Sequence, residues 1–145
     1  MPQPTQDQLA AWRVFLEAHA RITGLLAREL QERAGLPLAW YDVLVQLSEA
    51  PGGHLRMTEL ANRVLLSKAG LSRLVDRMAA AGLVDRQACP SDRRGTDLLL
   101  TQRGTSALDL AAPIHLAGVW EHFSRHLSPE ETAAIAGGLA RVGRG

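Results

Sequence analysis

The chain has 145 residues, a formal net charge of +1 at pH 7 and a hydrophobic fraction of 46%. This length is typical of one domain with a real core, and the composition excludes a chain too polar to fold. No apolar run approaches the roughly eighteen residues of a membrane span, and the N-terminus lacks the basic and then apolar order of a signal peptide. The single cysteine, Cys89, excludes an intramolecular disulfide. We therefore expect one cytoplasmic domain.

Charge is unevenly distributed along this chain. Residues 54–100 contain eight basic and five acidic side chains, which gives the segment a charge of +3 and leaves −2 for the remainder. A local basic excess favours an anionic partner, although charges that only solvate a surface give the same count. The arrangement of the arginines therefore has to decide between these two explanations.

The first third of the sequence predicts two helices. Residues 6–33 predict one long helix, because apolar side chains recur there at steps of three and four, and "AGLP" at 34–37 ends it. A second helix is predicted from about Ala39 to Glu49, where "APGG" stops it.

The middle of the sequence predicts two short helices and a β-hairpin. Thr58 is the predicted N-cap of a helix through Val64, and Ser67 is the predicted N-cap of a second helix through Ala81, which Gly82 closes. "LVDRQA" and "TDLLL" then predict short strands on either side of the turn-rich "CPSDRRG".

The last third predicts a long helix and a shorter one. A helical pattern runs from Thr101 to about His126. "SPEE" at 128–131 is typical of a helix start, with Ser128 as N-cap, proline at the first helical position and Glu131 closing a capping box.

The stretch "SKAGLSRLVDRM" at 67–78 has two contrasting faces when it is projected as a helix. Leu71, Leu74, Val75 and Met78 form one apolar stripe. Small residues near the opposite entry would let another surface approach closely, and arginines one turn apart can fork onto guanine O6 and N7 in a major groove. A solvated amphipathic surface helix is the alternative interpretation. The outward face carries Ala69, Ser72, Arg73, Asp76 and Arg77.

The predicted hairpin adds a second basic element. Gly95 can adopt the positive φ of a tight hairpin end, which would leave Arg93 and Arg94 projecting from the tip toward a minor groove. Asp92 would be repelled by phosphate, so we expect it to pair with an arginine and support the wing. A solvated loop is the alternative. Helix, turn, helix and basic hairpin in succession predict a winged helix-turn-helix, a mainly α fold with a small β-hairpin wing (α+β).

Residues 57–108, "MTELANRVLLSKAGLSRLVDRMAAAGLVDRQACPSDRRGTDLLLTQRGTSAL", resemble the core of the MarR family of bacterial transcriptional regulators. The resemblance includes the "DRRG" of the wing and the "LTQRG" that starts the next helix. It implies one domain over 1–145, with a winged helix-turn-helix lobe at 38–100 and dimerisation helices at 6–35 and 101–145. It also places Ser67, Lys68, Ser72, Arg73 and Arg77 on or at the start of the recognition helix, and matches Arg94 to the wing arginine.

By this resemblance the chain is expected to bind double-stranded DNA sequence-specifically as a homodimeric repressor. A small lipophilic or phenolic ligand would release it from an inverted-repeat operator, and no cofactor is expected. Trp12, His19, Trp40 and Tyr41 are the candidate ligand-pocket residues, because a polar-tipped aromatic group offers an apolar wall and one hydrogen bond. Packing in the core or at the dimer interface is the alternative for each of them.

The sequence also contains features that are typical of other functions. His122 and His126 form an H-x-x-x-H pair that is expected on one helical face, a spacing that can hold a metal, but two histidines make an incomplete zinc site, so none is predicted. Redox sensing through Cys89 and a winged-helix protein-interaction module without DNA binding are the remaining alternatives. No nucleophile, base and metal constellation is visible, and "GLSRL" is not a nucleophile elbow, so an enzyme is excluded.

Overall fold

The computed structural model describes residues 1–64, 68–89 and 92–144. Its first element is a 29-residue helix, α1 (Gln6–Ala34). The side chains at 68, 89 and 92–94 are outside this description. Thr5 caps α1 with a reciprocal pair of hydrogen bonds to Gln8, and Gly35 ends it at a φ of 63°. A left-handed residue satisfies carbonyls at a helix end and is accessible to glycine without strain. The predicted first helix and its glycine cap are confirmed.

The second helix, α2 (Leu38–Glu49), is followed by a 3-10 turn, a short strand β1 (His54–Arg56) and helix α3 (Met57–Arg63). The prediction that Thr58 caps α3 is wrong, because the N-cap residue is Arg56 and Thr58 lies inside the first turn. Strand β1 runs directly into the helix, so its pairing fixes the backbone one residue before Met57.

Helix α4 (Lys68–Ala80) and strands β2 (Val84–Cys89) and β3 (Asp92–Leu100) complete the winged lobe, the name used here for residues 38–100. The predicted cap Ser67 lies outside the described residues. The strands form an antiparallel sheet in the order β1-β3-β2. The predicted hairpin is therefore confirmed and extended by a third strand. Three residues are too few for β1 to show an alternating pattern in the sequence.

The wing pairing contains an irregularity near its outer end. Ala88 pairs with Thr96 and Cys89 with Asp92, so β3 carries three more residues than β2 in this interval. Gly95 is one of them and lies inside β3, which corrects the prediction that it forms the hairpin end. Extra residues bend a strand and re-aim its side chains. The two wing arginines at 93 and 94 belong to this bulged interval.

Helix α5 (Gln102–His122) leaves the sheet directly after β3. Thr101 caps it by accepting from the Gly104 N–H at 2.9 Å and donates to the Gly82 carbonyl at 2.7 Å, which ties the helix to the wing. The predicted continuous helix to His126 is wrong, because α5 ends at His122 and a separate 3-10 turn follows. Helix α6 (Pro129–Val142) begins with the predicted capping box of Ser128 and Glu131.

The hydrophobic core lies mainly in the winged lobe, and α1 packs against α5 beside it. Within the described residues, no helix is both long and apolar enough to cross a bilayer. The largest fully buried side chains come from α1, α2, α3, α4 and the sheet, and they include Leu30, Leu44, Leu47, Leu60, Leu71, Met78, Leu98 and Val84.

Candidate nucleic-acid interface

Helix α4 has one face in the core and one face in solvent. Its predicted apolar stripe is confirmed, since Leu71, Leu74, Val75 and Met78 are all buried. Arg73 and Arg77 lie on the exposed side, four residues and therefore about one turn apart. The buried stripe fixes the rotation of the helix about its axis, so both guanidinium groups are presented outward from one edge of the winged lobe.

Ser72 and Asp76, which were predicted on the same outward face, are held by an arginine from the wing. Arg86 in β2 donates from Nη2 to the Ser72 carbonyl at 3.2 Å and to its Oγ at 3.1 Å. Its Nη1 lies 3.1 Å from an Asp76 carboxylate oxygen. The hydroxyl of Ser72 keeps its own hydrogen for a further partner. Sequence reasoning missed Arg86, although its place two residues after an apolar strand residue is a signal that it points inward.

The remaining predicted DNA contacts are described through their backbone alone or not at all. Lys68 is the first residue of α4, and Asp92, Arg93 and Arg94 begin β3, but their side chains are outside the description. Ser67 is outside the described residues altogether, and so is the side chain of Cys89, the last residue of β2. The contacts predicted for them remain predictions.

The four candidate pocket residues occupy two separate places. Trp12 and His19 lie on α1 on either side of Phe15, with ring centroids 5.9 Å and 6.2 Å from the Phe15 ring. His19 lines a groove of about 900 Å³ between α1, the end of α5 and α6, whose walls are mostly apolar. Trp40 and Tyr41 lie on α2 and pack in or against the core.

Tyr41 faces a histidine that sequence reasoning missed. The ring of His115 on α5 lies 4.4 Å from the Tyr41 ring, and its buried Nδ1 has no hydrogen-bond partner among the described residues. Burial lowers the pKa of His115, an effect that the nearby Asp42 carboxylate opposes. Burial likewise raises the pKa of Asp42, and His115 opposes that shift. Asp42 and His115 therefore lie where the winged lobe packs against α5.

The two candidate metal-binding histidines point to different partners. The Nε2 atom of His122 lies 2.5 Å from a carboxylate oxygen of Glu29 on α1, and that of His126 lies 3.0 Å from the Glu121 carbonyl. Because α5 ends between them, they do not share a helical face as the sequence suggested. Within residues 1–64, 68–89 and 92–144, no three potential ligands come together to hold a metal.

The helices at both ends of the chain expose an unusual number of large apolar side chains. Soluble monomers rarely leave such surfaces open, and large exposed patches mark interaction sites. Several of these residues also line the groove between α1 and α6. The exposed set comprises Leu9, Trp12, Val14, Phe15 and Leu16 on α1, Leu110, Leu116 and Trp120 on α5, and Leu139 and Val142 on α6.

Comparison with known proteins agrees with this arrangement. A model of the MarR family matches residues 34–95, which cover most of the winged lobe. The transcriptional regulator MhqR of Bacillus subtilis is 32% identical over 139 residues, covering 96% of this chain and 93% of its own. The chain belongs to the MarR family. As a member of that family it is a DNA-binding transcriptional regulator and not an enzyme.

Two solved MarR family structures from Streptomyces coelicolor superpose on nearly the whole chain. The regulator AbsC is 37% identical, with a TM-score of 0.91 over 99% of this chain and 97% of its own. A second regulator, crystallised in complex with DNA, is 35% identical, with a TM-score of 0.91 over 99% of this chain and 90% of its own. The MarR fold, with terminal helices packed beside a three-stranded winged lobe, is therefore the fold of this chain.

Proposed function

We propose that this MarR family regulator is a homodimeric repressor that binds an inverted-repeat operator and leaves it when a small lipophilic or phenolic ligand binds. In this proposal α4 reads the major groove through Arg73 and Arg77. Ser67, Lys68 and Ser72 contact DNA at the start of that helix, and Arg93 and Arg94 reach from the wing.

The geometry of α4 carries the DNA-reading part of the proposal. Its apolar stripe is buried, so the helix cannot rotate, and Arg73 and Arg77 remain exposed one turn apart on the opposite side. Two forked cations at this spacing suit neighbouring guanines in a major groove. Among the described residues, this face contains no apolar anchor of the kind that a protein-protein hot spot needs, which favours DNA over a protein partner.

The open apolar surface of α1, α5 and α6 supports a homodimer. A second copy related by a twofold axis would cover the same surface on both chains and place two α4 helices on one side of the assembly. Two such helices in successive major grooves require half-sites about 10 base pairs apart, centre to centre. The operator would then be an inverted repeat.

The ligand-release part of the proposal draws on Tyr41 and His115. The buried Nδ1 of His115 has no hydrogen-bond partner among the described residues and lies beside the Tyr41 ring, so an acidic ring compound could supply that hydrogen bond. Two proteins of the same fold are regulated by, or were solved with, a small ring compound. DNA binding by Bordetella bronchiseptica BpsR is regulated by 6-hydroxynicotinic acid, and an organohalide-sensing regulator was solved with 2,4-dichlorophenol.

A selected operator tests the DNA-reading role. The purified chain would be used to enrich duplexes from a random pool, and the affinity of each variant would be measured on the enriched and the random DNA. Arg73→Ala and Arg77→Ala are each expected to cost about 1 to 3 kcal/mol on the enriched duplex and little on random DNA. Arg144→Ala, an exposed arginine beyond α6, is the matched control. Equal losses on both duplexes would assign these arginines to phosphate contact instead.

Reciprocal titration tests the ligand. A panel of aromatic carboxylates and phenols would be titrated against the free protein and against its operator complex, with melting curves alongside. A compound that weakens operator binding tenfold must bind the complex tenfold more weakly than the free dimer, because coupling between two sites is reciprocal. The proposal requires at least one such compound and a weaker effect in His115→Phe. A compound that binds both states equally would not act as an inducer.

A further inference from the structure

Arg86 occupies an inward-facing position of the wing. Its direct partner across the sheet is Leu98, and opposed residues of an antiparallel pair share one face. Leu98 and Val84, two residues before Arg86 on its own strand, are both fully buried. The stem of Arg86 therefore leaves the sheet on the side that covers the core. The side chain keeps about one third of its surface exposed, so its guanidinium extends past the edge of the core to polar partners on the neighbouring helix.

Both partners of Arg86 lie on α4, one turn apart. Its Nη2 donates to the carbonyl and the Oγ of Ser72, and its Nη1 pairs with Asp76. One planar guanidinium thus bridges β2 of the wing to two successive turns of α4. Arg73 and Arg77 each follow one of these partners in the sequence. The bridge therefore acts on the same two turns that present the DNA-reading arginines.

We propose that Arg86 is a positioning residue that sets operator specificity without touching DNA. This inference rests on the proposed role of α4 in reading DNA. A base-reading side chain must be held within roughly 0.5 Å and 10–20° of its productive geometry by groups around it. The Arg86 bridge holds α4 in such a fixed geometry, because it ties the helix to the wing. Wing and helix then meet their two grooves as one rigid unit.

The bridge also controls the charge on the reading face. The carboxylate of Asp76 is largely exposed, beside Arg73 and Arg77, where it would otherwise repel phosphate. The fork of Arg86 turns that carboxylate toward the wing and balances its charge. Lysine cannot replace this arrangement, because an ammonium is a single point charge without the planar fork that serves two partners in fixed directions.

Affinity for the selected operator and for random duplex, each measured over a range of salt concentrations, tests the proposal. Arg86→Met keeps the apolar stem and removes the bridge, while Arg86→Lys keeps the charge. Both are expected to lose about tenfold in operator affinity and almost nothing on random DNA, as for a misplaced base contact. The salt dependence should stay unchanged, whereas a lost phosphate contact would lower its slope by about 0.9. Full activity in Arg86→Lys, or a lower slope in Arg86→Met, would overturn the positioning role.

A second variant keeps the test decisive if Arg86→Met folds poorly. Asp76→Asn alters an exposed group, and melting curves would verify its fold. The proposal predicts that Asp76→Asn also loses operator preference, and that the double variant loses no more than Arg86→Met alone. Independent losses that multiply, or tighter operator binding by Asp76→Asn, would contradict it. If the wild type itself enriches no preferred duplex, the proposed function fails, and not this inference alone.

Discussion

The winged lobe and the terminal helices differ in how much of their apolar surface is buried within one chain. In the lobe, α2, α3, α4 and the sheet enclose side chains such as Leu44, Leu60 and Leu98, which have no solvent exposure. In the 29-residue helix α1 the buried residues are Leu26 and Leu30, and the described side chains of α6 include none. The lobe therefore has a complete core, while the terminal helices leave apolar surface open to solvent.

This difference separates the two tasks of the molecule. A complete core holds α4, the proposed DNA-reading helix, in place within one chain. The terminal helices leave Trp12 and Trp120 more than half exposed, an apolar surface that the second chain of the proposed homodimer would cover. Affinity for a single half-site should then depend on the lobe, and the spacing of two half-sites on the terminal helices.

The largest expected effect is the loss of stability caused by a substitution in the core of the winged lobe. Leu44→Ala removes a fully buried side chain from α2 and leaves a cavity, so the free energy of unfolding should fall by about 2 to 5 kcal/mol. Urea unfolding followed by circular dichroism measures this. Glu49→Ala, at an exposed position of the same helix, should stay within about 0.5 kcal/mol of the wild type. Equal effects would show that the lobe has no continuous core.

Breaking the terminal region should separate the chains and spare the lobe. Leu139→Asp places a charge in the groove between α1 and α6, and loss of an interface anchor typically costs 2 kcal/mol or more of association. Sedimentation velocity should show a monomer with an unchanged circular dichroism spectrum. Ala133→Asp, an exposed position of α6 outside the groove lining, should remain dimeric. A dimeric Leu139→Asp would assign the groove to another purpose.

The contact between the winged lobe and α5, called the joint here, should tolerate no added side chain at Gly104. A Cβ there would collide with the backbone carbonyl of Leu83, because the first turn of α5 passes directly over the wing. Gly104→Ala should therefore destabilise the fold by about 1 to 3 kcal/mol. Gly24→Ala in α1, where a Cβ meets nothing within 4 Å, should be neutral or stabilise by up to about 1 kcal/mol. Urea midpoints of the two variants give the comparison.

The smallest expected effect is a pH dependence at the same joint. Burial lowers the folded pKa of His115 below its ordinary value of 6.5, with Asp42 opposing the shift. The unfolded chain therefore takes up this proton first as the pH falls. The stabilisation is complete above 6.5 and is lost as the pH falls toward the folded pKa. His115→Phe should lack this loss in urea unfolding series.

Asp42 provides the control for that experiment, because its folded pKa is shifted in the opposite direction to that of His115. Burial raises its folded pKa above 3.8, so its ionisation costs stability as the pH rises through that region. Asp42→Asn should therefore remove the decline on the acidic side and enlarge the His115 loss, because the carboxylate that opposes the lowering of the His115 pKa is gone. Parallel pH profiles of the wild type and His115→Phe would contradict the assignment of His115 to this joint.

The sequence predicted those features that depend on local patterns. The stripe of α4, the glycine cap of α1 and the capping box of α6 each follow from a few neighbouring residues, and each is present. The three-residue strand β1 was missed, since its existence depends on pairing with β3, more than forty positions away along the chain by the register of His54 with Leu99.

Features that depend on tertiary contact were predicted poorly. Gly95 lies in a bulged strand and not at a turn, because the register of the wing places it there. His126 does not share a helical face with His122, because α5 ends at His122, before the end of the helical pattern in the sequence. Arg86 and His115 gained their importance from partners on other elements, Ser72 in one case and Tyr41 in the other, and no local pattern reports such a pairing.

The mass of the complex with a selected duplex tests the central claim most directly. Sedimentation equilibrium would be run on the wild-type chain with a duplex that carries one inverted repeat, at a protein concentration that saturates it. We predict two chains per duplex, and a dimer without DNA at the same concentration. One chain per duplex, or a monomer in solution that binds DNA with the same affinity, would contradict the division of the molecule into a reading lobe and a dimerising pair of termini.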